Sequence, residues 1–295
     1  MLDAPLHGPI VPGYKMVCNG CFVRRRRNVG EFMSTIMVYD IETIPDVARG
    51  RRLLKLDAST DKEVADALIE RRLAQTQGAS AFLPHHLHQI VAISVVVATS
   101  EWVKVWSLGD IGSEESEIVA RFFEGIQRYT PNLVSWNGTG FDLPVLHYRA
   151  LLYGIMAARY WETGEQDVSF KWNNYLGRYH NRHTDLMEVL AGYQNRAYAP
   201  MDEIALMLNL PGKMGMHGSE VWERYQAQDL QCIRNYCELD VLNTYLIYLR
   251  FQYIRGHIDE HRIRFEEERL KDFLLSTEKS HLLAFLEEWG TGVIA

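Results

Sequence analysis

The segment from Gln89 to Leu108 constrains this chain more than any other stretch. Gln89 to Ala98 is a β-branched run, and Trp102 to Leu108 alternates between the two faces of a strand. Thr99-Ser100-Glu101 between them suits a hairpin turn, so the chain must build a sheet with an antiparallel pair. Ile36-Met37-Val38-Tyr39 has the length of a buried strand and ends in Asp40.

Helical periodicity fills the spaces between strands. Residues 60–77 place Val64, Leu68 and Leu73 on one face, and Glu114 to Arg128 does the same with Ile118, Val119, Phe122, Phe123 and Ile126. Leu133-Val134-Ser135-Trp136 reads as a short strand broken by Asn137-Gly138. Leu143 to Leu152 reads as a helix that tolerates Pro144 in its first turn. Thr184 to Met187 is the expected last strand; Met201 to Leu208 and Asp229 to Ile254 are expected helices, and residues 256–295 add more helix. Three early strands followed by alternation imply an α/β fold, a mixed sheet flanked by helices in the RNase H-like order. The expected domain spans residues 33–295, with a core at about 35–255 and a helical C-terminal extension at 256–295. Residues 1–32 mix Gly and Pro with Arg24-Arg25-Arg26-Arg27 and show no periodicity, which reads as a disordered tail ahead of Met33. The other reading is a basic arm on nucleic acid.

Composition narrows the class. The 295 residues are 47% hydrophobic and 23% charged, ordinary for a globular protein. No apolar run approaches the roughly 18 residues of a membrane span. The first residues carry Asp3, Pro5 and His7 in place of a signal peptide's apolar region, so no membrane contact and a cytoplasmic location are expected. The net charge of −7 argues against a protein that coats duplexes by neutralising many phosphates. It is compatible with an enzyme that grips a short strand and leaves the reacting phosphate to bound cations. Cys18 and Cys21 form a CxxC without a second pair, so no zinc site is expected; Cys232 and Cys237 read as core residues in a reducing compartment.

Four carboxylates stand out by position. Asp40 and Glu42, two apart at a strand end, project to the same face. Asp142 follows Asn137-Gly138-Thr139-Gly140-Phe141 where a helix begins, a position at which an Asp often caps backbone N–H groups. Tyr236 and Asp240 lie one turn apart in the long helix. Each feature alone is unremarkable surface chemistry. Gathered by a tertiary fold, four acids would repel one another unless cations held them.

In this order, Asp40-Ile41-Glu42-Thr43, Asn137-x₃-Phe141-Asp142 and Tyr236-x₃-Asp240 resemble the three exonuclease motifs of the DEDD superfamily, in the subgroup with Tyr in the third. Flanking stretches, including Leu83-Pro84 through His88, Ile90 to Ser94, His183-Thr184-Asp185-Leu186-Met187 and Leu210-Pro211-Gly212-Lys213, resemble predicted 3′→5′ exonucleases related to the family-B polymerase proofreading domain. The resemblance covers roughly residues 35–255 and implies two Mg²⁺ or Mn²⁺ ions. Asp40 would bridge both; Glu42 and Asp240 would complete the site that activates water, and Asp142 would hold the second ion mainly through water. Tyr236 would orient the attacking water and assist its deprotonation. The products would be nucleoside 5′-monophosphates.

The implied partner is nucleic acid, single-stranded DNA or frayed 3′ ends, with no covalently linked polymerase; the resemblance names no protein partner. Lys213 is a candidate phosphate contact on a mobile loop. Asn137 could touch the strand but suits the turn better, and Phe141 is either core or a surface for a stacked base. Asp185 reads as structural, and His88 and His183 as supporting residues. The competing functions are an exoribonuclease of the same superfamily, a non-catalytic nucleic-acid-binding module and an endonuclease.

Overall fold

The strand β1 (Ile36–Pro45) divides the molecule. Alternate side chains of a strand point to opposite faces, and both faces are covered here. Ile36 and Val38 enter one core; Met37, Tyr39 and Ile41 enter the other. The computed structural model describes residues 34–291; the expected tail at residues 1–32, with Cys18 and Cys21, lies outside them.

After β1 come α1 (Val47–Leu54) and α2 (Asp61–Gln75), then the hairpin of β2 (His88–Ala98) and β3 (Val103–Ser107). Next are α3 (Glu115–Tyr129), β4 (Asn132–Ser135), α4 (Asp142–Tyr153), α5 (Ala158–Trp161) and β5 (His183–Asp185). The rest is helical: α6 (Leu186–Leu190), α7 (Met201–Met207), α8 (Val221–Gln226), α9 (Leu230–Ile254), α10 (Glu260–Ser276) and α11 (Ser280–Thr291). The sheet order is β3-β2-β1-β4-β5. β2 is antiparallel to both its neighbours, and β4 and β5 continue parallel to β1. This is the mixed, RNase H-like sheet flanked by helices that the element order implies.

Two local outcomes differ from the sequence expectation. The segment expected as a strand over Thr184–Met187 pairs only as far as Asp185, whose carboxylate then accepts from the N–H groups of Met187 and Glu188 and starts α6. A side-chain cap of this kind ends the strand and begins the helix at one residue. The helix α1 lies outside the expected helices. Asp46 caps it by accepting from the Arg49 N–H, and Gly50 lets it press on α2, where a Cβ at that position would come within 2.6 Å of Leu68 Cδ1.

α9 lies across the sheet and is apolar nearly all round, because α10 and α11 cover its outer side. Its Glu238 is buried and accepts from the Ser107 N–H and hydroxyl, from Lys279 and from His281 at 2.8–3.0 Å. Burial pushes that carboxyl up, but bonds from His281 and Lys279 bring it below its ordinary value. On the opposite face of the sheet, Arg149 of α4 is 2% exposed and pairs with both Asp46, just after β1, and Glu115 of α3. Glu115 also accepts from Tyr153 and from the Ile90 N–H, so one guanidinium ties four elements together. Among the described residues no helix is long and apolar enough to cross a membrane.

Candidate active site

Asp40 and Glu42 stand near the end of β1 on the face that meets α9. The β1–β2 register slips between Glu42 and Thr43. Such irregularities bend a strand and re-aim its side chains, and this one falls immediately after the second carboxylate.

Asp142 is buried at the first residue of α4. The residue in the cap position is Phe141, which makes no side-chain cap bond. Asp142 instead accepts a 3.2 Å hydrogen bond from the Ile41 N–H, between Asp40 and Glu42. The common role of an Asp at a helix start is therefore not the one the fold uses. Asp240 projects from α9, one turn after Tyr236.

Burial raises all four acids, and repulsion within the set adds to it at Asp40 and Glu42. Asp40 is held well above the carboxylate range by burial and by Asp142 and Asp240. Glu42 is raised by burial, Asp40, Asp240 and Asp142. Burial lifts Asp142 to about 7, against hydrogen bonding and with Asp185 adding to the rise. Asp240 rises to about 6 through burial, moderated by Lys213. Lys213 is the cation that offsets three of the four, and its Nζ sits 5.6 Å above the Tyr236 ring.

Asp240 Oδ1 is buried with no hydrogen-bond partner. Oxygen donors, one of them orphaned, in a nest of acids short of positive charge fit hard divalent cations. Cys237 belongs to the same nest. Its thiol donates toward Asp40 Oδ2 at 3.5 Å, and one ligand atom from each of Asp40, Glu42 and Cys237 lies within 4.8 Å of the others. The sequence reading placed Cys237 only in the core. Its neighbourhood to Asp40 arises from α9 packing on β1, for which the sequence carries no local signal.

The turn before α4 is built on Asp185. Its carboxylate accepts from the Asn137 N–H and from both the N–H and hydroxyl of Thr139. Asn137 adopts φ +63°, which Asn tolerates better than most residues. Its carbonyl receives the Gly140 and Phe141 N–H groups. Gly138 is required by close approach, since a Cβ would meet the Ser135 side chain and stand 2.7 Å from the Tyr39 hydroxyl. Phe141 packs edge-on against Phe82, 54% exposed, and His88. His88 bonds Thr43 and the Leu83 carbonyl; His183 bonds the Ser135 and Tyr39 hydroxyls.

Lys213 sits on a turn more firmly tied than its glycine-rich surroundings suggest. Asn243 of α9 both receives the Gly212 N–H and donates to the Gly212 carbonyl. Asp202 of α7 accepts from the Lys213 N–H at 2.6 Å. The mobile loop of the sequence reading is thus anchored at the lysine itself.

A family described as a predicted 3′-5′ exonuclease related to the exonuclease domain of PolB matches residues 80–289. The matched segment contains Asp142, Tyr236 and Asp240 and starts after β1. Asp40 and Glu42 join the set through the pairing of β1 with β2 and β4. Among solved structures, the family B DNA polymerase from the hyperthermophilic archaeon Pyrobaculum calidifontis is similar, with a TM-score of 0.41 and 20% sequence identity. The likeness covers 72% of this chain and 23% of the polymerase, so the chain matches less than a quarter of that protein's length.

Proposed function

The chain belongs to the family of predicted 3′-5′ exonucleases related to the exonuclease domain of PolB, and from that premise we propose that it hydrolyses the terminal phosphodiester of single-stranded DNA 3′ ends, with two divalent cations held by Asp40, Glu42, Asp142 and Asp240. The observation that carries the reading is that Asp40 and Glu42, whose ligand atoms lie within 4.8 Å of each other, stand near enough to Asp142 and Asp240 to be raised by their charge, while Asp240 Oδ1 has no partner. Magnesium or manganese ions there would supply charge neutralisation to the phosphate and acidity to the attacking water.

The protein's own groups do the positioning. Asp40 and Glu42 present oxygens from a rigid strand, and Asp142 is fixed to that strand by the Ile41 N–H. Tyr236 is raised well above an ordinary phenol by burial and by Asp240, Glu42 and Asp40, and its O–H is available as a donor to orient water. Lys213, above the Tyr236 ring, contributes a positive charge for the phosphate. Phe141 offers its partly exposed ring to a terminal base, while Asn137 shapes the turn.

Strandedness follows from energetics. A paired end must be unstacked and unpaired before its last phosphodiester reaches the acids, which costs a few kcal/mol. A chain of net charge −7 has little general phosphate attraction to offset that. The test is a 5′-labelled oligonucleotide, alone and annealed, followed with Mg²⁺, Mn²⁺ or chelator. A descending ladder that needs the cation and runs faster on the single strand is expected. Sustained hydrolysis in excess chelator overturns the metal assignment, and immediate release of labelled mononucleotide overturns the polarity. A higher rate on the matched RNA would reassign the substrate.

A further inference from the structure

Tyr236, Asp240 and Asn243 stand at i, i+4 and i+7 of α9 and so line one side of the helix. Asn243 is fully buried, and its amide is used on every side. Nδ2 donates to the Leu239 carbonyl at 3.1 Å and to the Gly212 carbonyl at 2.9 Å, while Oδ1 accepts from the Gly212 N–H at 3.1 Å. The bond to Leu239 fixes the rotamer, and the other two clamp the backbone of one residue. An amide donates and accepts at once; an isosteric carboxylate would turn a second acceptor on the Gly212 carbonyl.

The clamped segment lies between α7 and α8. Among the described residues neither Gly212 nor Lys213 makes a backbone-to-backbone hydrogen bond. The Lys213 N–H goes instead to Asp202 Oδ1. Gly212 adopts φ +66°, and a Cβ there would lie 2.6 Å from that same oxygen. One side chain from α9 and one from α7 therefore hold the turn from two sides. Lys213 projects from it, with its ammonium 5.6 Å from the Tyr236 ring centroid, and its charge works against the rise of Asp40, Glu42 and Asp240. A lysine head is flexible and strongly hydrated, and on a free loop it would point to water.

We propose that Asn243 and Asp202 are positioning residues for the hydrolysis, which fix the Gly212–Lys213 turn so that the Lys213 ammonium stays over Tyr236 beside the acids. The inference rests on the exonuclease reading and assigns to it two side chains that touch neither substrate nor cation. Their effect passes through Lys213 alone, so removing them matters only while the lysine is present.

The experiment is a double-mutant cycle on a single-stranded oligonucleotide with Mg²⁺. Lys213→Met is expected to lower kcat/KM on the order of a hundredfold. Asn243→Leu, which keeps the shape and loses the clamp, and Asp202→Ala should each lower it roughly tenfold. Added to Lys213→Met, neither should cost anything further, and Asp202→Asn, which keeps an acceptor, should recover most of the Asp202→Ala loss. Losses that add in the cycle overturn the proposal, and a failed recovery shows that Asp202 acts by its charge. If Asn243→Leu does not fold, Asp202→Ala carries the same cycle. Binding of Mn²⁺ without substrate gives a second reading, since a resident positive charge opposes the cation. Lys213→Met and both single turn variants should bind Mn²⁺ more tightly, on the order of threefold. Tighter binding in Lys213→Met with no change in the turn variants overturns the positioning role. If the unaltered chain hydrolyses nothing, the exonuclease reading fails, and the Mn²⁺ titration still decides whether the turn places the lysine.

Discussion

Two groups of buried charge flank the end of β1, and they follow opposite rules. Asp46 and Glu115 meet Arg149, a guanidinium with two forks for two carboxylates. Asp40 and Glu42 meet chiefly the other acids of their set, Asp142 and Asp240 stand beside them, and among the described residues none of the four forms an ion pair with Lys, Arg or His. The first group holds a resident cation, though Arg149 Nε is itself buried without a partner, and it serves to fix β1, α3 and α4. The second has no ion-paired cation among the described residues, and the proposed divalent cations would supply one. Burial of acids therefore does not by itself mark a reactive site; burial without a resident cation is what makes the second group the candidate.

The comparison breaks first if the acids can be spared. Asp40→Ala, Asp142→Ala and Asp240→Ala are each expected to lower turnover on the order of a thousandfold, while thermal midpoints in chelator stay level or rise as repulsion is relieved. Near-normal turnover in any of them removes that residue from the site.

Removing the cation from the other group should have the reverse profile. Arg149→Met leaves Asp46 and Glu115 buried without compensation and should cost about 3–5 kcal/mol in chemical denaturation. Adding Asp46→Asn and Glu115→Gln should recover part of the loss. A stability equal to the unaltered chain's would mean that the guanidinium is not what holds the end of β1.

His183 represents a third solution, a buried group that stays neutral. Burial pushes it from 6.5 down to about 4, with Asp185 acting the other way. Between those values the folded chain binds fewer protons than the unfolded one. Stability present above about pH 6.5 is thus lost as the pH falls toward 4, by up to about 3 kcal/mol. Urea titrations across this range should show the slope, and His183→Gln should flatten it. An identical slope in the variant would assign the acid sensitivity elsewhere.

The smallest expected effect is at Tyr236. Tyr236→Phe keeps the ring under Lys213 and removes the hydroxyl proposed to orient water, so kcat should fall roughly tenfold with little change in cation affinity. An unchanged rate across pH would take the hydroxyl out of the mechanism.

Much of this was legible in the sequence where the signal is periodic or chemical. β2, α3 and α9 lie within a residue or two of where periodicity puts them, and all four acids are recognisable from the resemblance. What was hidden depends on contacts distant in sequence. α1 packs closely on α2 because Gly50 admits Leu68, and Cys237 joins the acids because α9 crosses β1. The bond between Asp142 and the Ile41 N–H, and the meeting of Arg149 with Asp46 and Glu115, leave no local trace at all. The α5 turn and the tyrosine-lined stretch that follows it carry too little periodicity to be assigned.

A helix lying on a sheet has one soft degree of freedom, rotation about its own axis. α9 bears Asp240 toward the acids, and Glu238 two residues earlier, about 200° around the helix. The four donors that converge on Glu238 from β3 and from the Lys279–His281 segment therefore act as a key in a shaft, setting the phase at which Asp240 arrives. At a side-chain radius of about 5–6 Å, a turn of roughly 10° displaces a carboxylate by about 1 Å, and an error of that size at a reacting centre can cost on the order of a hundredfold in rate. The far end of the chain, remote from the chemistry in sequence, is thereby part of its alignment.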